Sequence, residues 1–282
     1  MSRCNSIRSN SIRVRYAVNC SLIFRELPLL ERPAAAAAAG FDAVEFWWPF
    51  GSPLPSDDEI RAFERAVVDS GVQLVALNFF AGDLAGPDCG VASIPGRAAD
   101  FRASVDVAVA IGSRLGVHRF NALYGNRVDG VTTQVQDDLG VESLAAAARA
   151  TAEIEATVML EPVSGLKPYP QRTAADALAV IDRVREQANV GNVGLLADFY
   201  HMTVNGDNIN SVVIAHADDI VHVQIADVPG RHEPGTGSMD LAGHLDELRR
   251  VGYSGWVGLE YVPTGASADS FYWLPPDERG AK

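Results

Sequence analysis

The stretch "VGLLADF", Val193 to Phe199, is apolar or glycine on both parities until it reaches Asp198. A strand with one solvated face alternates apolar with polar. An unbroken apolar run instead reads as a strand covered on both faces, as in parallel sheets. Seven more short runs of β-branched or aliphatic residues resemble it: "VRYAVNC" from Val14, "DAVEFW" from Asp42, "VQLVALNF" from Val72, "VHRFNALY" from Val117, "TVMLEP" from Thr157, "IVHVQIAD" from Ile220 and "GWVGLEY" from Gly255. Between them lie helix-like stretches, among them Asp57 to Ser70, Gly96 to Leu115, Val141 to Ile154, Thr173 to Ala188 and Leu241 to Val251. Several strands follow a Gly-containing turn (Gly40-Phe41, Gly71-Val72, Gly116-Val117, Gly252-Tyr253), as expected where glycine ends a helix in the left-handed conformation. Strand and helix alternating eight times over about 250 residues predict an α/β fold, a single (β/α)8 TIM barrel. A doubly wound open sheet would bring a Gly-rich nucleotide turn after the first strand, and "NCSLIF" has none. The expected catalytic domain spans 14–275, between a disordered N-terminal extension (1–13) and a short tail (276–282). The loop from Phe80 to Pro95, rich in Gly, Asp and Pro, is long enough to act as a lid.

Bulk properties narrow the function. The 282 residues carry a formal net charge of −13 and only two lysines, Lys167 and Lys282. Such a surface repels phosphate backbones and anionic membranes, which argues against a nucleic-acid or membrane partner and for a small-molecule substrate. An anionic substrate is still compatible, since one arginine can dominate a pocket. No apolar run approaches the roughly 20 residues of a membrane helix. Cys4, Cys20 and Cys89 show no disulfide or metal spacing and fit a reducing, cytoplasmic setting. The start, "MSRCNSIRSNSIR", is Ser/Arg-rich without acids; disorder is preferred here over a transit-like peptide, and there is no apolar core for secretion.

In such a barrel the C-terminal strand ends share one mouth. The later strands end there in Glu161, Asp198, Gln224 and Glu260, each after aliphatic residues. Taken singly, an acid at a strand end is more often a helix N-cap or a surface residue. Three converging carboxylates, however, repel one another, and a divalent cation resolves the conflict. Three carboxylates and one amide oxygen form a hard ligand set suited to Mg²⁺ or Mn²⁺. Gln224 then adds an oxygen without another negative charge.

"LEPVSG", "ADFYHM", "HVQIADVPGRHEPGTG" and "GLEY" resemble the hydroxypyruvate isomerase family of the xylose-isomerase-like barrels, as do "VNCSLIF", "GFDAVEFWWPF", "FAGDLAGPDCGVAS" and "FNALYGN" nearer the start. The likeness runs from about Val14 to about Pro263. It implies a metal-assisted aldose–ketose isomerisation of a small 2-oxo acid, such as hydroxypyruvate to tartronate semialdehyde or a 2-oxo-tetronate. It also implies Glu161, Asp198, Gln224 and Glu260 as metal ligands, with Glu161 and Glu260 as the proton-transfer pair. Arg231 is the candidate for gripping the substrate carboxylate, with a loop salt bridge to Asp227 or Glu233 as the alternative. His201, Asn78 and Glu45 are the other expected substrate contacts, although His201 and Glu45 also suit a supporting place, and Asn121 is a further pocket candidate. Trp47, Trp48, Phe50 and Phe79 read as core or pocket wall. Barrels of this size suggest a homodimer by analogy.

The chain departs from the family at the rim: Ser164 where Asn is usual, "GLKPYPQR" in place of an Asp-hydrophobic-Pro-Gly turn, Ser238 in place of Glu, and Val262 in place of Lys. A ketose 3-epimerase is the nearest rival, but such enzymes usually carry His at the position of Gln224. An endonuclease-IV-like enzyme would need a histidine-rich multi-zinc site, which six scattered histidines do not supply. A non-catalytic sugar-acid-binding barrel would need no second glutamate.

Overall fold

The computed structural model describes residues 13–84, 86–165 and 169–280. Eight parallel strands close into a barrel in chain order: β1 (Arg15–Asn19), β2 (Ala43–Phe46), β3 (Gln73–Asn78), β4 (Arg119–Asn121), β5 (Thr157–Leu160), β6 (Val193–Asp198), β7 (Ile220–Ile225) and β8 (Trp256–Leu259). Helices cover the outside: α1 (Arg32–Ala38), α2 (Asp57–Ser70), α3 (Ala98–Leu115), α4 (Thr133–Ala152), α5 (Ala174–Ala188), α6 (Phe199–Asn205), α7 (Ile209–Ala215), α8 (Leu241–Arg250) and α9 (Pro276–Arg279). The (β/α)8 barrel expected from the alternating pattern is the fold that forms.

Local chemistry explains the element ends. Ser56 accepts the Glu59 main-chain N–H while the Glu59 carboxylate accepts that of Ser56, a reciprocal cap that starts α2. Thr173 and Asp176 do the same for α5. Gly71 and Gly116 end α2 and α3 at φ of 74° and 71°, a region that costs a side chain energy. Helix α4 begins at Thr133, well before the expected Val141, because the Thr132 hydroxyl caps it. Helices α6 and α7 were not anticipated; the first follows directly on β6, where "DFYHM" carries no break in composition.

The main core lies between barrel and helices, while two small clusters, Ala17/Ala43/Val75 and Ala76/Met159/Leu196, fill the barrel interior. The expected tail is built in as far as Arg279: its guanidinium packs over Phe41 and Phe271 and donates to the carbonyls of Leu274, Ala39 and Phe271. Residues 1–12 of the expected extension lie outside the described residues, as do Lys167 and Lys282. Among the described residues no helix is long and apolar enough to cross a membrane.

Candidate active site

At the C-terminal mouth the strands present the amides Asn19, Asn78, Asn121 and Gln224 and the carboxylates Glu45, Glu161, Asp198 and Glu260, all at most 6% exposed. Register sets neighbours side by side: Asn19 with Glu45, Asn78 with Asn121, Asp198 with Gln224. Carboxylates this deep require donors or cations. How each is satisfied defines the site.

Glu45 is the floor. Its oxygens accept from Asn19 Nδ2 (2.9 Å), Gln224 Nε2 (2.7 Å) and His222 Nε2 (2.6 Å). Gly258 makes the space: a Cβ there would lie 2.5 Å from both carboxylate oxygens. Because Glu45 takes the amide nitrogen of Gln224, the amide oxygen is turned away from it. Among the described residues Gln224 Oε1 is buried and without a hydrogen-bond partner, as is Asn121 Oδ1. An unmatched buried acceptor costs free energy unless a donor or cation meets it.

Asp198 divides its two oxygens. Oδ1 caps α6, accepting from the main-chain N–H of Tyr200 (2.8 Å) and His201 (3.1 Å), while Oδ2 faces His201 Nε2 at 3.6 Å and Arg231 Nη2 at 3.4 Å. Helix N-cap and site carboxylate are thus the same residue. Glu161 Oε1 accepts from Asn121 Nδ2 at 2.6 Å. Burial, reinforced by the charge of Asp198, pushes the Glu161 carboxyl up to about 8.

Potential ligand atoms of Glu161, Asp198 and His201 lie within 4.8 Å of one another. The imidazole is distinguished from the two carboxylates by its tautomer. Its Nδ1 accepts the main-chain N–H of Ser164 (3.0 Å), and burial lowers its pKa to about 4, so the ring is neutral. Its single proton therefore sits on Nε2, making His201 a donor toward the site. Coordination through Nε2 would move that proton to Nδ1, where the Ser164 N–H already points. Of this group Glu161 and Asp198 therefore offer carboxylate oxygen, the hard donor type that suits a divalent cation such as Mg²⁺.

Glu260 is held from both sides. Oε1 accepts from Trp47 Nε1 (2.6 Å) and Asn19 Nδ2 (3.0 Å), and Oε2 meets Arg231 Nη2. Burial holds its carboxyl well above the ordinary range despite the neighbouring guanidinium. Two donors take up the lone pairs of Oε1, whereas Oε2 keeps one for a further partner. Arg231 also lies 5.3 Å from the Tyr200 ring centroid, and its Nη1 has no protein hydrogen bond among the described residues.

The loop after β7 is built to deliver that arginine. Burial opposes ionisation of Asp227, yet main-chain N–H groups of Gly237, Met239, Gly235 and Val228 hold its carboxyl below the usual range. Glu233 is buried against Thr264. Both acids brace the backbone, so the loop salt bridge to Asp227 or Glu233 does not form and Arg231 points into the site instead.

The resulting cavity holds about 170 Å³, with polar walls from Asn78, Glu161, Ser164, His201, Arg231 and Glu260. Trp47, Leu84, Leu123 and Val163 supply apolar wall. Drug-sized ligands occupy about 300–1,000 Å³, so this volume suits a metabolite of a few carbons.

A pH prediction follows for EDTA-treated protein. A carboxyl whose folded pKa is raised contributes stability that is complete below its unfolded value and is lost as pH rises through the folded value; for Glu161 the window runs from 4.5 to about 8. His201 acts oppositely, costing stability as pH falls from 6.5 toward about 4. Between about pH 6.5 and 8 the Glu161 effect is no longer opposed by His201. Tm measured across that window falls with rising pH, and added Mn²⁺ offsets the fall; a Tm rising over the window contradicts the assignment.

Comparison with known proteins gives the same direction. Residues 33–277 match the family of xylose isomerase-like TIM barrels. A Streptomyces coelicolor protein named putative hydroxypyruvate isomerase is 52% identical over 275 residues, covering 95% of this chain and 98% of the relative. The chain belongs to the hydroxypyruvate isomerase family. A Pectobacterium atrosepticum 2-oxo-tetronate isomerase is 30% identical, covering 93% of this chain and 97% of its own. A Brucella melitensis crystal structure described as AP endonuclease, family 2, superposes with a TM-score of 0.84 at 32% identity, covering 93% and 98% of the two chains.

Within this isomerase family the chain's own site differs from sequence expectation in particulars. Asn78, Glu161, His201, Arg231 and Glu260 line the cavity; Asp198 meets His201 and Arg231 beside it, and Gln224 pairs with Asp198 in the sheet. Glu45, expected as a substrate contact or as a support, is not among the residues lining the cavity, and its carboxylate holds Asn19, His222 and Gln224. Asn19 and the Trp47 N–H, which sequence reading did not single out as polar contacts, both bind Glu260. Ser164, the departure from the family's Asn, sets the His201 tautomer. Leu84 and Cys89 of the expected lid line the cavity, and that loop is tied to the barrel by a Gly90–Tyr124 bridge. The described histidines form no multi-metal cluster.

Proposed function

We propose that the chain interconverts an aldose and a ketose form of a small 2-oxo acid, hydroxypyruvate and tartronate semialdehyde or a 2-oxo-tetronate pair. The observation that carries this is that Glu161 and Glu260 line one small cavity at the barrel mouth, where β7 also ends in a buried amide oxygen of Gln224 that has no hydrogen-bond partner among the described residues. They follow β5 and β8, well separated around the barrel, so two carboxyls reach one substrate from different sides. The names of the Streptomyces and Pectobacterium relatives support the same substrate class.

In the ketose-to-aldose direction one glutamate takes a proton from the hydroxymethyl carbon, the electrons pass into an enediolate, and the other glutamate delivers a proton to the former carbonyl carbon. The hydroxyl proton moves from the first oxygen to the second, so atoms and charge balance. Glu161, Asp198, Gln224 and Glu260 would hold a divalent cation, Mg²⁺ or Mn²⁺, which when bound supplies Lewis-acid stabilisation of the charge that develops on the substrate oxygens. The Nη1 edge of Arg231 is placed to grip the substrate carboxylate, and His201 Nε2–H to donate to a substrate oxygen.

Titrating Mn²⁺ into the protein by calorimetry tests the cation site. Gln224→Ala weakens binding and also lowers Tm, because buried Glu45 loses one of its three donors. Glu45→Gln, which frees the Gln224 amide to turn over, weakens it by about 10–100-fold, the usual effect of losing a group that orients a ligand. Unchanged Mn²⁺ affinity in both variants would exclude Gln224 as a ligand.

A further inference from the structure

At the opposite end of the barrel the strand starts enclose a second cavity of about 150 Å³, lined by Arg15, Gln73, His118, Arg119, His222 and Trp256 among others. Two arginines and two histidines meet there, and no acidic residue lines it. That is unexpected in a chain with a net charge of −13. Elsewhere arginines such as Arg97, Arg127 and Arg185 find carboxylates. Among the described residues Arg15 and Arg119 form no ion pair with a carboxylate.

Both guanidiniums are instead fixed by neutral groups. Arg119 donates from Nε to the Val221 carbonyl (3.0 Å) and from Nη1 to that of His118 (2.8 Å). Arg15 donates from Nη2 to the Ser254 carbonyl (2.5 Å) and lies 4.5 Å from the Trp256 ring centroid. Burial lowers the Arg119 pKa, a sign that its charge is held out of water without a compensating anion. Glu45, behind His222, already takes three donors. Apolar side chains would close a barrel floor at lower cost than two like charges held around one space.

We propose that this N-terminal mouth is an anion-binding site, separate from the catalytic end, that takes a small phosphate- or carboxylate-bearing molecule. Two arginine forks of fixed orientation suit the paired oxygens of either group. The cavity has room for one such group and little more.

The test is calorimetric titration of inorganic phosphate into the full chain at constant ionic strength, with Arg231→Gln as control for the catalytic arginine. Saturable binding is expected in wild type and in Arg231→Gln, weakened about tenfold or more in Arg119→Gln and in Arg15→Gln. Arg15 lies nearer the rim, so its variant decides the matter should Arg119→Gln fold poorly. Malonate in place of phosphate separates the ligand classes, and tighter binding of either one supports the site. Absence of saturable binding by both anions overturns the proposal, as does phosphate binding that is lost in Arg231→Gln and kept in Arg15→Gln.

Discussion

Glu161→Gln and Glu260→Gln are each expected to lower kcat by about 10²–10⁴-fold, the usual contribution of a positioned proton-transfer group. Glutamine keeps the shape and one oxygen but cannot accept or release the proton. Burial already disfavours the Glu161 charge, so Glu161→Gln leaves Tm of metal-free protein unchanged or raises it, whereas Glu260→Gln lowers Tm because Arg231 loses a charged partner. For Glu161 that separates lost chemistry from lost folding. Mn²⁺ titration separates it from lost metal, since the amide oxygen remains a ligand. Steady-state turnover on hydroxypyruvate or a 2-oxo-tetronate checks the prediction; either variant retaining kcat within a few-fold of wild type removes that glutamate from the proton path.

Arg231→Met carries the second large effect. Its Nη2 meets Glu260 Oε2 and lies 3.4 Å from Asp198 Oδ2, so truncation leaves buried carboxylates short of a cation as well as removing the proposed substrate grip. Removing one partner of a buried charge pair costs about 2–5 kcal/mol. At 1.4 kcal/mol per factor of ten, kcat/KM falls by about 30- to 3,000-fold. Arg231→Lys restores the charge but not the fork, and recovers only part of the loss, chiefly in KM. Full recovery by lysine would show that charge alone suffices there.

Much of this was readable in the chain because the barrel ties depth to strand position. In "VGLLADF" and "GWVGLEY" an acid directly after a buried apolar run could only sit at a strand end, and the mouth follows from that. Asn19 carried the same signal in "VRYAVNC", but a neutral amide at a strand end demands no counter-charge and so drew no notice. From sequence Glu45 suits either a substrate contact or a supporting place: it lies one residue before the end of β2, just after a register shift at Val44/Glu45, and alternation alone does not reveal whether its carboxylate reaches the cavity.

Contacts between distant loops were the least legible. The Ser164–His201 and Trp47–Glu260 hydrogen bonds join residues 37 and 213 positions apart. Arg231 posed a choice between Asp227, Glu233 and the substrate, and what resolves it is the set of main-chain donors that occupies Asp227. The charged floor of the barrel was hidden for a simpler reason. Arg15 and Arg119 open ordinary-looking strands, and only closure of the sheet brings them into one cavity.

Proton NMR in D₂O is the most direct measurement, with purified protein, Mn²⁺ or Mg²⁺, and hydroxypyruvate or a four-carbon 2-oxo acid, repeated with EDTA. Proton transfer between two glutamates through an enediolate predicts deuterium entering at the carbon beside the carbonyl as the isomer appears, stopping with EDTA and resuming when the cation is restored. Isomer formed without solvent deuterium and unaffected by EDTA, or no exchange with either substrate despite bound metal, would contradict it.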